Sequence, residues 1–248
     1  MPDSTPTTTP KDGGLTIPPT ISTPRLLLKR MNDTTSPQQA NWFHRFWTDD
    51  DCTTWSVQGK TTSPEDSLER MKQHNDKFDM ITFAVFAKDV PPEEGYPDDP
   101  GRLVGNIGLR RLKATLPPFP REESAGASGG KENEGEGRKK RLDVRSLGYA
   151  YFSHAWGKGY ATEAGKAVLD TYEAAVKEKL ASSSDSEEEE VEYWVEAGWD
   201  KDNPASGNVI AKLGFKEVGW YVEETDELIF LGGKWRGPGY WIWGKWVG

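Results

Sequence analysis

Cysteine is nearly absent: Cys52 is the single one in 248 residues. One thiol excludes an internal disulfide and any cysteine-cluster metal site. No apolar run approaches the roughly 20 residues that span a bilayer. Met1 to Thr23 lacks an apolar stretch flanked by basic residues, so no secretory signal is expected. A cytoplasmic protein of a reducing compartment follows as the expectation, with the nucleus left open. Apolar residues are sparse at 35%, against 29% charged. The 11 Trp, 8 Tyr and 9 Phe are nevertheless too many for a disordered chain. A folded core diluted by polar segments is expected, sized for one domain.

Basic excess is also lacking. The net charge is −9, and two stretches hold the acidity. Asp89 to Asp99 and Asp185 to Glu192 carry eleven acids and no base, so the rest of the chain stands near +2. Without a concentrated basic face no nucleic-acid partner is expected, and without a spanning segment no membrane partner.

The first 23 residues are rich in Thr, Pro and Ser, without periodicity, and read as a disordered tail. Residues 24–248 read as one domain. Arg25 to Arg30 is a strand, and Ser36-Pro37 and Ser63-Pro64 start helices. Ile81 to Ala87 and Leu103 to Leu112 form a long-looped hairpin. Residues 114–145 combine Pro, Gly and mixed charge, and read as a disordered insertion; a domain boundary is the competing reading. Ser146 to Phe152 is a strand, followed by a helix from about Ala161 with apolar residues every three or four positions. An acidic loop, 181–190, leads to the alternating strand Val191 to Trp199. Asn203-Pro204 starts a short helix that Gly214 ends, and Phe215 to Val222 and Tyr240 to Val247 close the sheet.

Chemistry concentrates in a strand–turn–helix, His154-Ala155-Trp156-Gly157-Lys158-Gly159-Tyr160-Ala161. Glycines let the backbone turn and approach a ligand, and unsatisfied N–H groups at a helix start favour a pyrophosphate. The spacing is neither a Walker A loop nor the Gly-x-Gly-x-x-Gly dinucleotide pattern, since Thr162 takes the third position. An ordinary glycine-rich turn remains the competing reading of the turn alone.

Further pieces change that balance. Thr23-Pro24-Arg25-Leu26-Leu27-Leu28, Val104 to Leu109, Leu147-Gly148-Tyr149, Trp156 to Ala164 and Asn203 to Phe215 occur in order. With these pieces the chain resembles the GNAT superfamily of acetyl-CoA-dependent N-acetyltransferases, and within it the branch of ribosomal-protein N-terminal acetyltransferases. The resemblance implies an α/β fold. It would be a single domain with a central, mixed, mostly antiparallel sheet flanked by helices, and a splayed strand pair holding the cofactor. It also implies acetyl-CoA as co-substrate, no metal, and an amine acceptor, either a protein N-terminus or a small molecule. Monomer and homodimer both stay open.

The resemblance further implies roles. The pyrophosphate cradle falls on His154, Gly157 and Gly159, with Ala155, Trp156, Lys158, Tyr160 and Ala161 around it. His154 stands where relatives carry Gln or Arg. Phe152 and Ser153 would pair with the pantetheine arm, and Asn203 would bond it or simply cap its helix. Many relatives place a proton-donating Tyr where this chain has Ile210; the branch it resembles has Ser at the position of Ser206. Ser206 is thus a candidate acid or thiolate partner. Glu196 is the candidate base, with a solvated or paired carboxylate as its alternative, and Tyr149 is a third catalytic candidate. Glu163 reads as a complement to the helix dipole. Trp235, Trp241, Trp243 and Trp246 line a pocket or pack a core or dimer contact. A CoA-binding module without catalysis is the alternative function, because Ile210 and His154 depart from the pattern.

Overall fold

A computed structural model describes residues 14–121, 139–182, 189–225 and 227–248. Three helices begin on one local device, a capping side chain followed by proline. Ser36 accepts from the Gln39 amide (3.3 Å) before α1, Pro37–Thr48. Ser63 accepts from the Asp66 amide (3.1 Å) before α3, Pro64–Asp76. Asn203 accepts from the Ser206 amide (3.2 Å) before α5, Pro204–Lys212. Each cap satisfies an N–H that the first turn leaves unpaired, and proline lacks the N–H that would be orphaned there. A short α2, Asp50–Thr53, follows α1.

The strands are β1 Thr20–Ser22, β2 Leu26–Arg30, β3 Met80–Ala87, β4 Arg102–Leu112, β5 Lys139–Tyr151, β6 Glu189–Trp199, β7 Lys216–Val222 and β10 Gly239–Val247. They form one sheet in the order β1-β2-β3-β4-β5-β6-β10-β7. A separate hairpin joins β8 Ile229–Leu231 and β9 Lys234–Arg236. Every neighbouring pair in the large sheet is antiparallel except β5 and β6. A parallel pair needs a long crossover. The 23-residue helix α4, Tyr160–Ser182, supplies it.

The β5–β6 ladder runs from Lys139 opposite Glu189 to Ser146 opposite Glu196. Beyond that point β5 continues to Tyr151 and β6 to Trp199 without pairing each other, so the strands fork. One sheet face packs under α4 and α5, with Tyr193, Val195, Ala197, Leu147, Val168 and Tyr172 in its core. The other face packs under α1 and α3, with Phe43, Phe46, Met71, Phe86 and Leu103. Alternation along β6 turns Trp194 and Glu196 away from the α4 face.

The expected tail and insertion need correction where they are described. Residues 14–22 are folded: Leu15 is buried, and β1 pairs with β2. A three-residue edge strand is too short for periodicity to betray. Within the expected insertion, 139–145 form the first half of β5. Its charges looked like loop composition, yet two of them, Asp143 and Arg145, are buried and paired in the sheet. Arg145 is fully buried and donates to the Asp79 carbonyl (2.6 Å) and carboxylate (3.1 Å), while Arg111 holds Asp143 at 2.9 Å. Residues 114–121 also pack on the sheet: Phe119 meets the Trp194 ring edge-on at 5.0 Å, and the Trp246 indole donates to the Phe119 carbonyl (2.9 Å). The remainder of these two segments, 1–13 and 122–138, lies outside the described residues, as does 183–188 of the acidic loop.

Candidate active site

The chain leaves β5 at Tyr151, makes a 3-10 turn over Ser153–Ala155 and enters α4 at Tyr160. Phe152 to Ala161 are therefore one continuous ledge beside the fork. Gly157 and Gly159 have φ of 72° and 78°, a left-handed conformation that side chains with a Cβ adopt only at a cost. A Cβ on Gly157 would meet nothing within 4 Å, so open space borders the loop. The first N–H groups of α4 lack intrahelical partners. His154 stacks flat on Phe152, with ring centres 5.5 Å apart. Partial burial, then the Arg102 charge, holds its imidazole below its usual pKa. Trp156 is largely exposed, and its indole donates to the Tyr151 carbonyl (2.6 Å).

Arg25 is a site residue whose role the sequence reading missed. It packs on the ledge from β2's approach. Its guanidinium donates to the Lys158 carbonyl (2.9 Å), pairs with Glu163 (2.6 Å) and lies 5.0 Å over the Tyr160 ring. Glu163 also accepts from the Arg25 amide (3.0 Å) and the Thr23 hydroxyl (2.5 Å). Glu163 thus clamps the β1–β2 hairpin to α4 in addition to facing its dipole. The partners are some 138 residues apart, and only the adjacency of Thr23-Pro24-Arg25 to a strand hinted at them.

Tyr149 and Ser206 meet across the α4 face of the fork. Their hydroxyls are 2.8 Å apart, and Tyr149 also reaches the Ser206 carbonyl at 3.1 Å. Burial pushes the Tyr149 phenol up to about 12, so it keeps its proton at neutral pH. Asn203 is the cap of α5, as its alternative reading had it, with its side-chain oxygen on the Ser206 amide. Ile210 is buried in the core.

Glu196 lies on the opposite face, at the last paired position before the fork, and is 2% exposed. Both carboxylate oxygens accept from Thr115, one from its amide (3.2 Å) and the other from its hydroxyl. Burial raises the carboxyl above its ordinary value; the Thr115 donors offset this in part. Glu196 and the Tyr149–Ser206 pair therefore flank the fork from its two sides rather than touching each other. Among the C-terminal tryptophans, Trp241 packs on Trp220, Trp243 on Trp199 and Trp246 on Trp194, while Trp235 is 68% exposed. Among the described residues no group of three or more His, Cys, Asp or Glu is arranged to hold a metal. No helix among them is long and apolar enough to cross a membrane.

A parallel strand pair that forks beside a glycine-rich helix start, in a mostly antiparallel sheet, defines an acetyltransferase architecture. The acetyltransferase (GNAT) domain model matches residues 25–216, and the chain belongs to that family. A GNAT-family acetyltransferase from Bacillus anthracis superposes with a TM-score of 0.54 at 17% identity, over 92% of this chain and 98% of that one. The spermidine N-acetyltransferase of Vibrio cholerae, in complex with CoA and spermine, gives 0.55 at 13%, over 91% and 97%. A ribosomal L7/L12 α-N-protein acetyltransferase in complex with coenzyme A gives 0.53 at 12%, over 92% and 98%. No curated protein matches the chain in sequence.

Proposed function

We propose that this acetyltransferase moves the acetyl group of acetyl-CoA to a primary amine, by direct attack within a ternary complex. The observation that carries the reading is the fork itself, with a buried carboxylate on one side and a hydroxyl pair on the other. Two of the solved structures named above hold CoA, one with spermine and one named for a protein α-amine, and both acceptors are amines.

The ledge fits the cofactor. Backbone amides of 157–161 would meet a diphosphate, Lys158 adds positive charge while that of Arg25 is taken up by Glu163, and the free space beside Gly157 leaves room. At the end of β5, Phe152 already donates to the Val104 carbonyl (3.1 Å), and the Phe152 and Ser153 carbonyls accept from the Ala155 and Trp156 amides, which leaves the Ser153 amide to offer the pantetheine arm. Bound acetyl-CoA supplies an activated thioester. The protein must supply a neutral amine and relief of charge on the departing sulfur. An α-amine is neutral about once in seven molecules at pH 7, and a lysine-type amine about once in 2,500. Glu196 takes the amine proton, directly or through water; its raised pKa brings it nearer the working pH. Tyr149, backed by Ser206, offers its O–H on the sulfur side. This pair takes the place of the Tyr that Ile210 replaces, which favours an active enzyme over a silent CoA-binding module. The acceptor class includes protein N-terminal α-amines, lysines and small amines, and the compartment we infer is the cytoplasm.

Thiol release from acetyl-CoA, measured with a panel of amines, tests the reading. Glu196→Gln should lower kcat/KM by about 10²–10⁴-fold with acetyl-CoA affinity unchanged. The loss should shrink for amines of low pKa, which are already partly neutral. Ser206→Ala should cost less and should not track amine pKa. Near wild-type turnover of Glu196→Gln on every acceptor would remove the base.

A further inference from the structure

Glu196 is 2% exposed, yet the cap on its carboxylate does not come from the sheet that carries it. It comes from Thr115, 81 residues away, just after β4. The cross-strand neighbours of Glu196 are Ser146 on β5 and Gly244 on β10, neither of them charged. The Trp194 indole shares this face of β6 but is hydrogen-bonded to nothing among the described residues. Tyr240 of β10 is the titratable group that feels its charge; burial pushes that phenol up to about 12, so it is neutral across the working range. Among the described residues no cation pairs with Glu196. The two donors of Thr115 therefore do most of the work of holding it ionised, and they also fix the direction of the carboxylate. Its segment is anchored on both sides of the contact. Leu116 approaches β7 near Gly219, Phe119 packs on Trp194, and the Phe119 carbonyl receives the Trp246 indole.

We infer that Thr115 is the positioning residue of the acetyl-transfer base: its amide and hydroxyl hold both Glu196 oxygens at the mouth of the fork. The inference rests on the base role proposed above and adds a residue on a different element. A carboxylate with two donors is held in one rotamer, and its ionised form is favoured over its neutral form. Without the hydroxyl, the amide still orients one oxygen, but the ionised form loses a charge-assisted bond. The base then stays protonated to higher pH.

The experiment compares wild type, Thr115→Val and Thr115→Ser in two readouts. One is the pH profile of kcat/KM with a low-pKa amine. The other is the titration of the Glu196 side chain, followed by carboxyl-resolved NMR on enzyme without acceptor. Valine keeps the shape and removes the hydroxyl; serine restores it. In Thr115→Val both the acid limb of the profile and the Glu196 titration should move up by about one pH unit, a roughly tenfold loss of rate on the acid side. Thr115→Ser should bring both back, a rescue that a packing role would not give. An unmoved Glu196 titration in a folded Thr115→Val overturns the inference while leaving the base reading intact. A titration that moves while the rate profile does not would instead overturn the base reading, and the catalytic part of the inference with it.

Discussion

At the scale of single residues, the ledge depends on two glycines for different reasons. Gly157 borders open space, whereas a Cβ on Gly159 would sit 3.5 Å from the Arg25 guanidinium. Gly157→Ala therefore meets no clash in the free protein and suffers only the left-handed backbone, about 1–2 kcal/mol. Its methyl group would project where a diphosphate approaches. Calorimetric titration should show acetyl-CoA affinity falling at least tenfold, more than the loss in stability explains. Equal affinity in the folded variant would move the cradle elsewhere. The Tyr149–Ser206 contact carries a similar lesson. Neither hydroxyl alone announces chemistry, but a phenol held protonated at 2.8 Å from a second hydroxyl has the form the proposed proton donor needs.

Between elements, the contact that shapes the site is the clamp of the β1–β2 hairpin on α4. Arg25 is partly exposed and Glu163 mostly covered, so water screens the ion pair and its net worth is modest. Its geometric effect is larger, because the same guanidinium holds the Lys158 carbonyl between the two glycines. Arg25→Ala should lower stability by about 1 kcal/mol and acetyl-CoA affinity about fivefold. In a double-mutant cycle with Glu163→Gln, the two losses should be less than additive, since both remove one contact. Strict additivity in the affinity measurement would show that the clamp does not reach the ledge. Thr115 and Glu196 repeat the pattern on the other face, where a segment outside the regular elements completes a strand residue's surroundings.

For the whole molecule, burial of one histidine sets a measurable pH dependence. His74 is 4% exposed, ringed by Phe43, Trp47 and Phe78, with Nε2 on Gln58 at 3.0 Å. Burial, helped by Arg70 and Arg110, lowers its pKa from 6.5 to about 4. The unfolded chain therefore takes up the proton first as pH falls. Between pH 6.5 and 4 the stability should drop by about 3 kcal/mol through this group. Glu196 acts in the opposite sense: its raised folded pKa gives a contribution present below the ordinary carboxylate range and lost as pH rises through the raised value. Urea unfolding of wild type and His74→Phe across pH 4 to 7 separates the two. The variant should show a flatter acid slope, and an unchanged slope would mean that His74 titrates normally.

The sequence by itself determined what depends on neighbours along the chain. The caps at Ser36, Ser63 and Asn203 precede prolines and were legible as helix starts; the alternation of Tyr193 to Trp199 was legible as a strand; the glycines of the ledge were legible as a strand-to-helix turn that needs a left-handed backbone. The resemblance of the five ordered pieces added the family, which the match over 25–216 shows. Tertiary structure alone decided the rest, because contacts between distant residues leave no local period. It turned the charged run at 139–145 into a strand by burying Arg145 against Asp79. It brought Arg25 to Glu163, and it set Thr115 on Glu196. It also put Glu196 and the Tyr149–Ser206 pair on opposite sides of one fork. That fork exists because α4 carries the chain across in parallel, and the ladder then ends at Ser146 and Glu196.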